Sequence, residues 1–247
     1  MLTTRAETSL EDALHVGNET ELRAAVDNAE AGVHIVIALD RDITITEQLD
    51  ISDNKNITLT SNSATEFFKL SRSALGTGGG TIGVWAESTL ELAGIIVTHV
   101  QGTGGGVVVT PGCTLTLSSG EISGNGPFIG SVGGGVVNLG HFIMTGGTIS
   151  DNSIGRSAGG GVYNTGNFTM TGGTITNNIG GLLCLGGGVY NEGGNFSMYG
   201  GAISGNNIGL HGGGVYNNGG NFNMFGGVIS GNTAYVYGGG VYNEGGN

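Results

Sequence analysis

A Gly-Val pair returns along the chain at Gly83-Val84, Gly106-Val107, Gly135-Val136, Gly161-Val162, Gly188-Val189, Gly214-Val215 and Gly240-Val241, at steps of 23, 29, 26, 27, 26 and 26 residues. Self-similarity at such a period marks a stacked-repeat architecture, in which no unit can bury its apolar surface alone. From Val136 onward a full unit reads Gly-Gly-Gly-Val-Tyr-Asn, then Asn-Phe-x-Met, then Gly-Gly-x-Ile-Ser-x-Asn. Each unit offers three short apolar patches: the Val, the Phe-x-Met pair (Phe142/Met144, Phe168/Met170, Phe196/Met198, Phe222/Met224) and the Ile (Ile122, Ile149, Ile175, Ile203, Ile229). Phe-x-Met has period two, so both side chains point to one face of a strand. Helical spacing is absent from the repeats. With Gly at 54 of 247 residues, a helix there would lose about 1 kcal/mol per glycine against Ala. Collagen is excluded as well, since the glycines follow no every-third rule and there are 2 prolines.

The spacing separates rigid from variable parts of the coil. Phe (or Leu115) to Ile is 7 residues in every unit from Leu115/Ile122 onward, whereas Ile to the next Val varies from unit to unit. The first interval is a fixed corner and the second carries loops. Stacking at about 4.8 Å per coil gives a column of about 34 Å for the coils marked by Gly-Val pairs. Like residues then fall into ladders: Asn138, Asn164, Asn191, Asn217 and Asn243 in one column, Asn125, Asn152, Asn178, Asn206 and Asn232 in another. Stacked amides can bond to one another and satisfy corner backbone groups. The Gly-Gly-Gly runs lack a following Lys-Ser/Thr and are no phosphate loop.

The expected fold is therefore all-β: a single-stranded right-handed parallel β-helix (β-solenoid) with three strands per coil and an N-terminal helical cap. Residues 1–17 read as a tail, 18–82 as the cap and first coils, and 83–247 as repeats of about 26 residues that stop in the middle of a unit. Asn18-Glu19-Thr20-Glu21 resembles a capping box, followed by Leu22, Ala25, Val26 and Ala29 on one helix face. Strand-like runs follow at His34–Leu39, Ile43–Ile45, Leu49–Ile51 and Ile57–Leu59. The unit that begins Gly-Gly-Gly-Val-Tyr-Asn resembles right-handed parallel β-helix repeats of bacterial and archaeal surface proteins, adhesin-like members of the pectate-lyase-like group. The resemblance implies an extracellular or cell-surface adhesin or stalk without catalysis. It is specific for fold and unspecific for function, because lyases and hydrolases share the architecture.

Charge narrows the partners. The net charge is −12, which argues against nucleic acid. Residues 1–72 hold 13 acids and 6 bases, while residues 73–247 hold 6 acids and one base, Arg156. No apolar stretch is long enough to span a membrane. The polysaccharide or the surface protein that such a chain would meet must be recognised by shape and neutral hydrogen bonds. Trp85, Tyr163, Tyr190, Tyr216 and Tyr242 alternate with the inward Val and form the candidate binding column, an outward aromatic line.

Catalytic and metal candidates are sparse. Glu192 and Glu244 share a column with Asn218 between them, about 9.6 Å apart over two coils, just outside the spacing of glycosidase carboxylates. Asp40 and Asp42 offer Ca²⁺ a two-carboxylate contact that no EF-hand or nonapeptide repeat supports, and no cofactor is called for. His15, His34, His99, His141 and His211 are scattered, and Cys113 and Cys184 lie in different coils as free thiols. Two alternatives remain beside the adhesin: a polysaccharide lyase or glycoside hydrolase, and an ice- or surface-binding module resting on the Thr148/Ser150 and Thr174/Thr176 stripe. The last unit, with no capping residues after it, also invites end-to-end self-association.

Overall fold

The computed structural model describes residues 12–73, 79–100, 104–126, 132–156 and 158–247. It is an all-β parallel solenoid of about eight turns with one short helix. Among the described residues every strand pairing is parallel, each strand lying beside its equivalent in the next coil.

Three sides make a triangular coil, and each follows from its apolar pattern. The first side carries Phe-x-Met: the strands His141–Met144, Asn167–Met170, Asn195–Met198 and Asn221–Met224 pair with Phe on Phe and Met on Met. The Phe rings stack inside the solenoid with centroids 4.6 to 4.9 Å apart. In earlier coils Leu115, Leu90 and Ile57 hold the same column. The second side carries the Ile column, Ile122–Ile149–Ile175–Ile203–Ile229. The third begins at Leu49–Ile51 and ends at Val241–Glu244, with one inward column of Leu49, Ile82, Val107, Val136, Val162, Val189, Val215 and Val241. These columns form one continuous core along the axis.

The fixed corner between Phe-x-Met and Ile needs glycine. Gly173 sits at φ +80°, and a Cβ there would fall 2.5 Å from the Gly146 carbonyl oxygen of the coil before. The triple-glycine run has a different reason. A Cβ on Gly160 or Gly161 would meet the carbonyl oxygens of Gly187 and Gly188 at 2.5 and 2.6 Å, so these glycines let neighbouring coils approach and bond backbone to backbone.

Both inner Asn columns are hydrogen-bonded ladders. Asn138 Nδ2 donates to Asn164 Oδ1 at 2.7 Å, and the pattern repeats through Asn191, Asn217 and Asn243 at 2.6 to 2.7 Å. In the second ladder Asn125, Asn152, Asn178 and Asn206 each donate to the next amide at 2.9 Å. The members are buried through the middle of each ladder, and spare N–H groups bond backbone carbonyls such as Ile122 O and Gly194 O. An amide buried this way is satisfied on both sides, the condition under which a polar core residue costs little.

The cap is the helix Glu19–Asp27, with Leu22 and Val26 buried on the core and Ala25 and Ala29 packed beside them. Asn18 Oδ1 accepts from Glu21 N at 3.0 Å, while the Glu21 carboxylate turns back to Gly17 N at 2.7 Å, one residue earlier than an ideal capping box. Arg23 ties the helix to the first coil through the carbonyls of Glu47 and Gln48. Burial raises the Glu19 carboxyl, but bonds from Thr46 and Arg23 outweigh it and leave the pKa below the usual range.

Three expectations change. Among the described residues a strand precedes the helix: Leu14–Val16 pairs with His34–Leu39, so the supposed tail is part of the fold from that strand on, and residues 1–11 lie outside the described residues. The strand Phe68–Arg72 supplies an early second side whose pattern is too polar to stand out. Finally, Ile82 and not Val84 aligns with Val107, so the Gly83-Val84 pair imitates the repeat two residues out of phase.

Candidate functional site

On the third side, side chains alternate in and out. The outward column beside the Val column runs Asp50, Gly83, Val108, Val137, Tyr163, Tyr190, Tyr216 and Tyr242. Four of the five candidate residues therefore share one line. Trp85 does not, because the phase shift carries it past the end of the strand Gly80–Val84. Its indole folds back over Gly83, where an added Cβ would lie 2.2 Å from Nε1, and Nε1 donates to Asp50 Oδ1 at 2.8 Å. Trp85 thus covers the gap that Gly83 leaves in the column, three coils before Tyr163.

The four tyrosines form a closed stack. Ring centroids are 5.6, 5.1 and 5.3 Å apart from Tyr163 to Tyr242, with interplanar angles of 5°, 7° and 22°. Tyr190 and Tyr216 are 6% and 3% exposed. A second column, Val132–Ala158–Leu185–His211–Tyr237, packs against their flank. His211 extends the aromatic cluster, with centroids 4.7 Å from Tyr242 and 5.2 Å from Tyr237. The column faces outward as the alternation requires, yet the ring faces on which a sugar would stack are occupied by neighbouring rings. What it presents is edges, hydroxyls and the residues that hold them.

Those hydroxyls are engaged. Tyr163 Oη donates to Glu192 Oε2 and Tyr216 Oη donates to Glu244 Oε2, each one coil on. Between them Asn218 Nδ2 donates to Tyr190 Oη at 3.0 Å. Glu192 and Glu244 therefore serve as acceptors for the stack, and Asn218 keeps the two carboxylates from adjoining coils, where like charges would repel. Burial, then the adjacent carboxylate, pushes the Tyr163 and Tyr216 hydroxyls well above their ordinary pKa. Tyr190 is raised by burial too, against the opposing bond from Asn218.

The cap carboxylates do not converge. Asp40 accepts from His15 Nδ1 and Asn62 Nδ2, both at 2.8 Å, and the His15 bond leads in holding its pKa below the usual range. Asp42 accepts from Lys69 N at 2.9 Å. Among the described residues no three His, Cys, Asp or Glu side chains gather around a common point. Cys113 and Cys184 are buried thiols that form no disulfide, the first in the main core and the second against Ile154 and Ile208.

One exposed array went unnoticed in the sequence. His141, Asn167, Asn195 and Asn221 form an outward column on the first side, with Asn195 Nδ2 donating to Asn167 Oδ1 at 2.9 Å and Asn221 Nδ2 to Asn195 Oδ1 at 2.8 Å. Its signal was the Asn that opens each Asn-Phe-x-Met, one residue before the buried Phe and so on the opposite face. These two columns of the later coils thus present amides, hydroxyls and ring edges in register. No protein-family model, curated protein or solved structure matches the chain.

Proposed function

We propose that the protein is a non-catalytic β-solenoid of the extracellular space or a cell surface, an adhesin-like or stalk-forming module that meets a polysaccharide or a neighbouring protein through the later coils. Its repeats resemble those of right-handed β-helix surface proteins of the pectate-lyase-like group. The observation that carries the proposal is the Tyr163–Tyr242 stack with its Glu192, Asn218 and Glu244 partners. A rigid line of ring edges and hydroxyls, repeated coil by coil, suits a long partner better than a small substrate. The carboxylates beside it are committed to tyrosine hydroxyls, which favours holding over cutting.

The test is incubation with a panel of acidic and neutral polysaccharides, with and without Ca²⁺, read by gel retardation and by the release of new chain ends. Retention of a neutral glycan without new ends, weakened several-fold by Tyr163→Ala, supports the proposal. New chain ends would make the protein an enzyme and overturn it. A chelator is expected to change neither retention nor melting temperature; the partners of Asp40 and Asp42, His15, Asn62 and Lys69 N, support that expectation.

A further inference from the structure

The corner between the second and third sides carries an apolar strip beside the Tyr stack, which it meets at Tyr237. Ile179, Leu182, Leu183, Tyr235, Val236 and Tyr237 all lie exposed there, Leu182 and Leu183 at 78% and 66% and Tyr235 at 82%. Contiguous exposed apolar surface of this kind marks a contact site. The two leucines sit in a loop longer than those that follow it. Their coil spends 14 residues from Ile175 to Val189, as the coil from Ile122 to Val136 also does, where the next two spend 12 from Ile203 to Val215 and from Ile229 to Val241. Extra residues needed only to turn a corner would be polar. The leucines lie two coils before the last strand, Val241–Glu244, and Tyr235, Val236 and Tyr237 lie in the coil that carries it.

The strip is held rigidly. Leu210 N donates to Cys184 O at 3.1 Å, Tyr235 N to Ile208 O at 3.1 Å and Val236 N to Leu210 O at 3.0 Å, so the three loops stack backbone on backbone. Gly209 lets the leucine loop settle on it: a Cβ there would lie 2.3 Å from Leu182 Cα. The aliphatic pair and the aromatic group therefore stand one coil to either side of the lower Gly209-Leu210 loop, in which Leu210 is only half-exposed.

We infer that this strip is the contact by which two copies of the chain pair side by side and antiparallel. A two-fold axis through the Gly209-Leu210 loop exchanges the flanking coils. It sets Leu182 and Leu183 of each copy against Tyr235, Val236 and Tyr237 of the other, a self-complementary arrangement. Charge favours the same occupant. The strip holds no acid or base, and 13 of the 19 acidic residues lie in residues 1–72, which the antiparallel arrangement carries to opposite ends of the pair. A lipid surface fits less well, because Arg156 is the one base in residues 73–247 and the net charge is −12.

The experiment is sedimentation of the full chain across a wide concentration range. The expected result is a shift from one chain to two, abolished by the double substitution Leu182→Ser with Leu183→Ser at unchanged melting temperature. Mixing a Leu182→Cys protein with a Tyr235→Cys protein under mild oxidation should give mainly the mixed cross-link, since the native Cys113 and Cys184 are buried. A single chain at the highest concentration overturns the inference. So does a pair that survives the double substitution, which would point to association through the last coil. Leucine-dependent binding to phosphatidylcholine vesicles by a chain that stays single would assign the strip to lipid and overturn it too. None of these outcomes depends on glycan retention.

Discussion

Asn138 and Asn191 occupy the same ladder, yet replacing them should cost different amounts. Each amide donates towards the C-terminal coil, so the first one has no donor of its own. Asn138 Oδ1 is buried without a partner because Val109 precedes it in the column. Asn138→Val moves that orphan to Asn164 and gives up one bond to Asn167 O, while Asn191→Val strands the Asn217 oxygen, takes the acceptor from Asn164 Nδ2 and removes bonds to Gly194 O and Asn221 O. Urea denaturation should show losses of about 1 kcal/mol for the first and about 2–3 kcal/mol for the second. Equal losses would mean that the direction of the ladder carries no energy. The partnership of these amides was legible in the sequence, because identical residues at the coil period have to meet. The role of Trp85 was not: a Gly-Val pair two residues out of phase looks the same as one in phase until the partner strand is known.

At the scale of the corner and the stack, two results are expected. Gly173→Ala forces a left-handed backbone and drives a Cβ into the Gly146 carbonyl, so it should destabilise by about 2 kcal/mol or more and lower the melting temperature clearly. The tyrosine stack bears on alkaline stability. Folded-state pKa values of Tyr163, Tyr190 and Tyr216 lie above the ordinary value of 10.0, so the fold favours the protonated hydroxyl. The stability they contribute is full below that value and falls as pH rises past it. A spectrophotometric titration should show the hydroxyls of Tyr163, Tyr190 and Tyr216 ionising only above the ordinary tyrosine value, as the chain unfolds. Ordinary titration of all of them in the folded protein would refute the closed stack. Alternation along a strand predicted which way these rings point. It could not predict that Ala158, Leu185 and His211 would close their flank, because those residues sit in the segments whose spacing varies.

For the molecule as a whole, each coil is bonded only to its neighbours, and the helix over the first coil seals one end of the core. Hydrogen exchange should therefore be slowest in the strands Val162–Asn164 and Val189–Glu192 and fastest in Val241–Glu244, which pairs on one side only. Uniform protection would show that the coils unfold as a single unit. The eight-turn stack was readable from the repeat, apart from coils in the first 80 residues whose apolar positions carry no recurring motif. The unbroken register of the columns from His141 onward also bears on how such a chain can change over time. Removing Val189 through Gly214 joins Gly188 to Val215 and leaves all columns matched, at the loss of one coil, about 4.8 Å. A one-residue deletion between Phe196 and Ile203 would throw the second side out of alignment with both neighbours. Evolution can thus adjust the reach of this molecule only in whole steps of one turn, like a ruler cut at its marks, while its breadth varies freely at the corner loops.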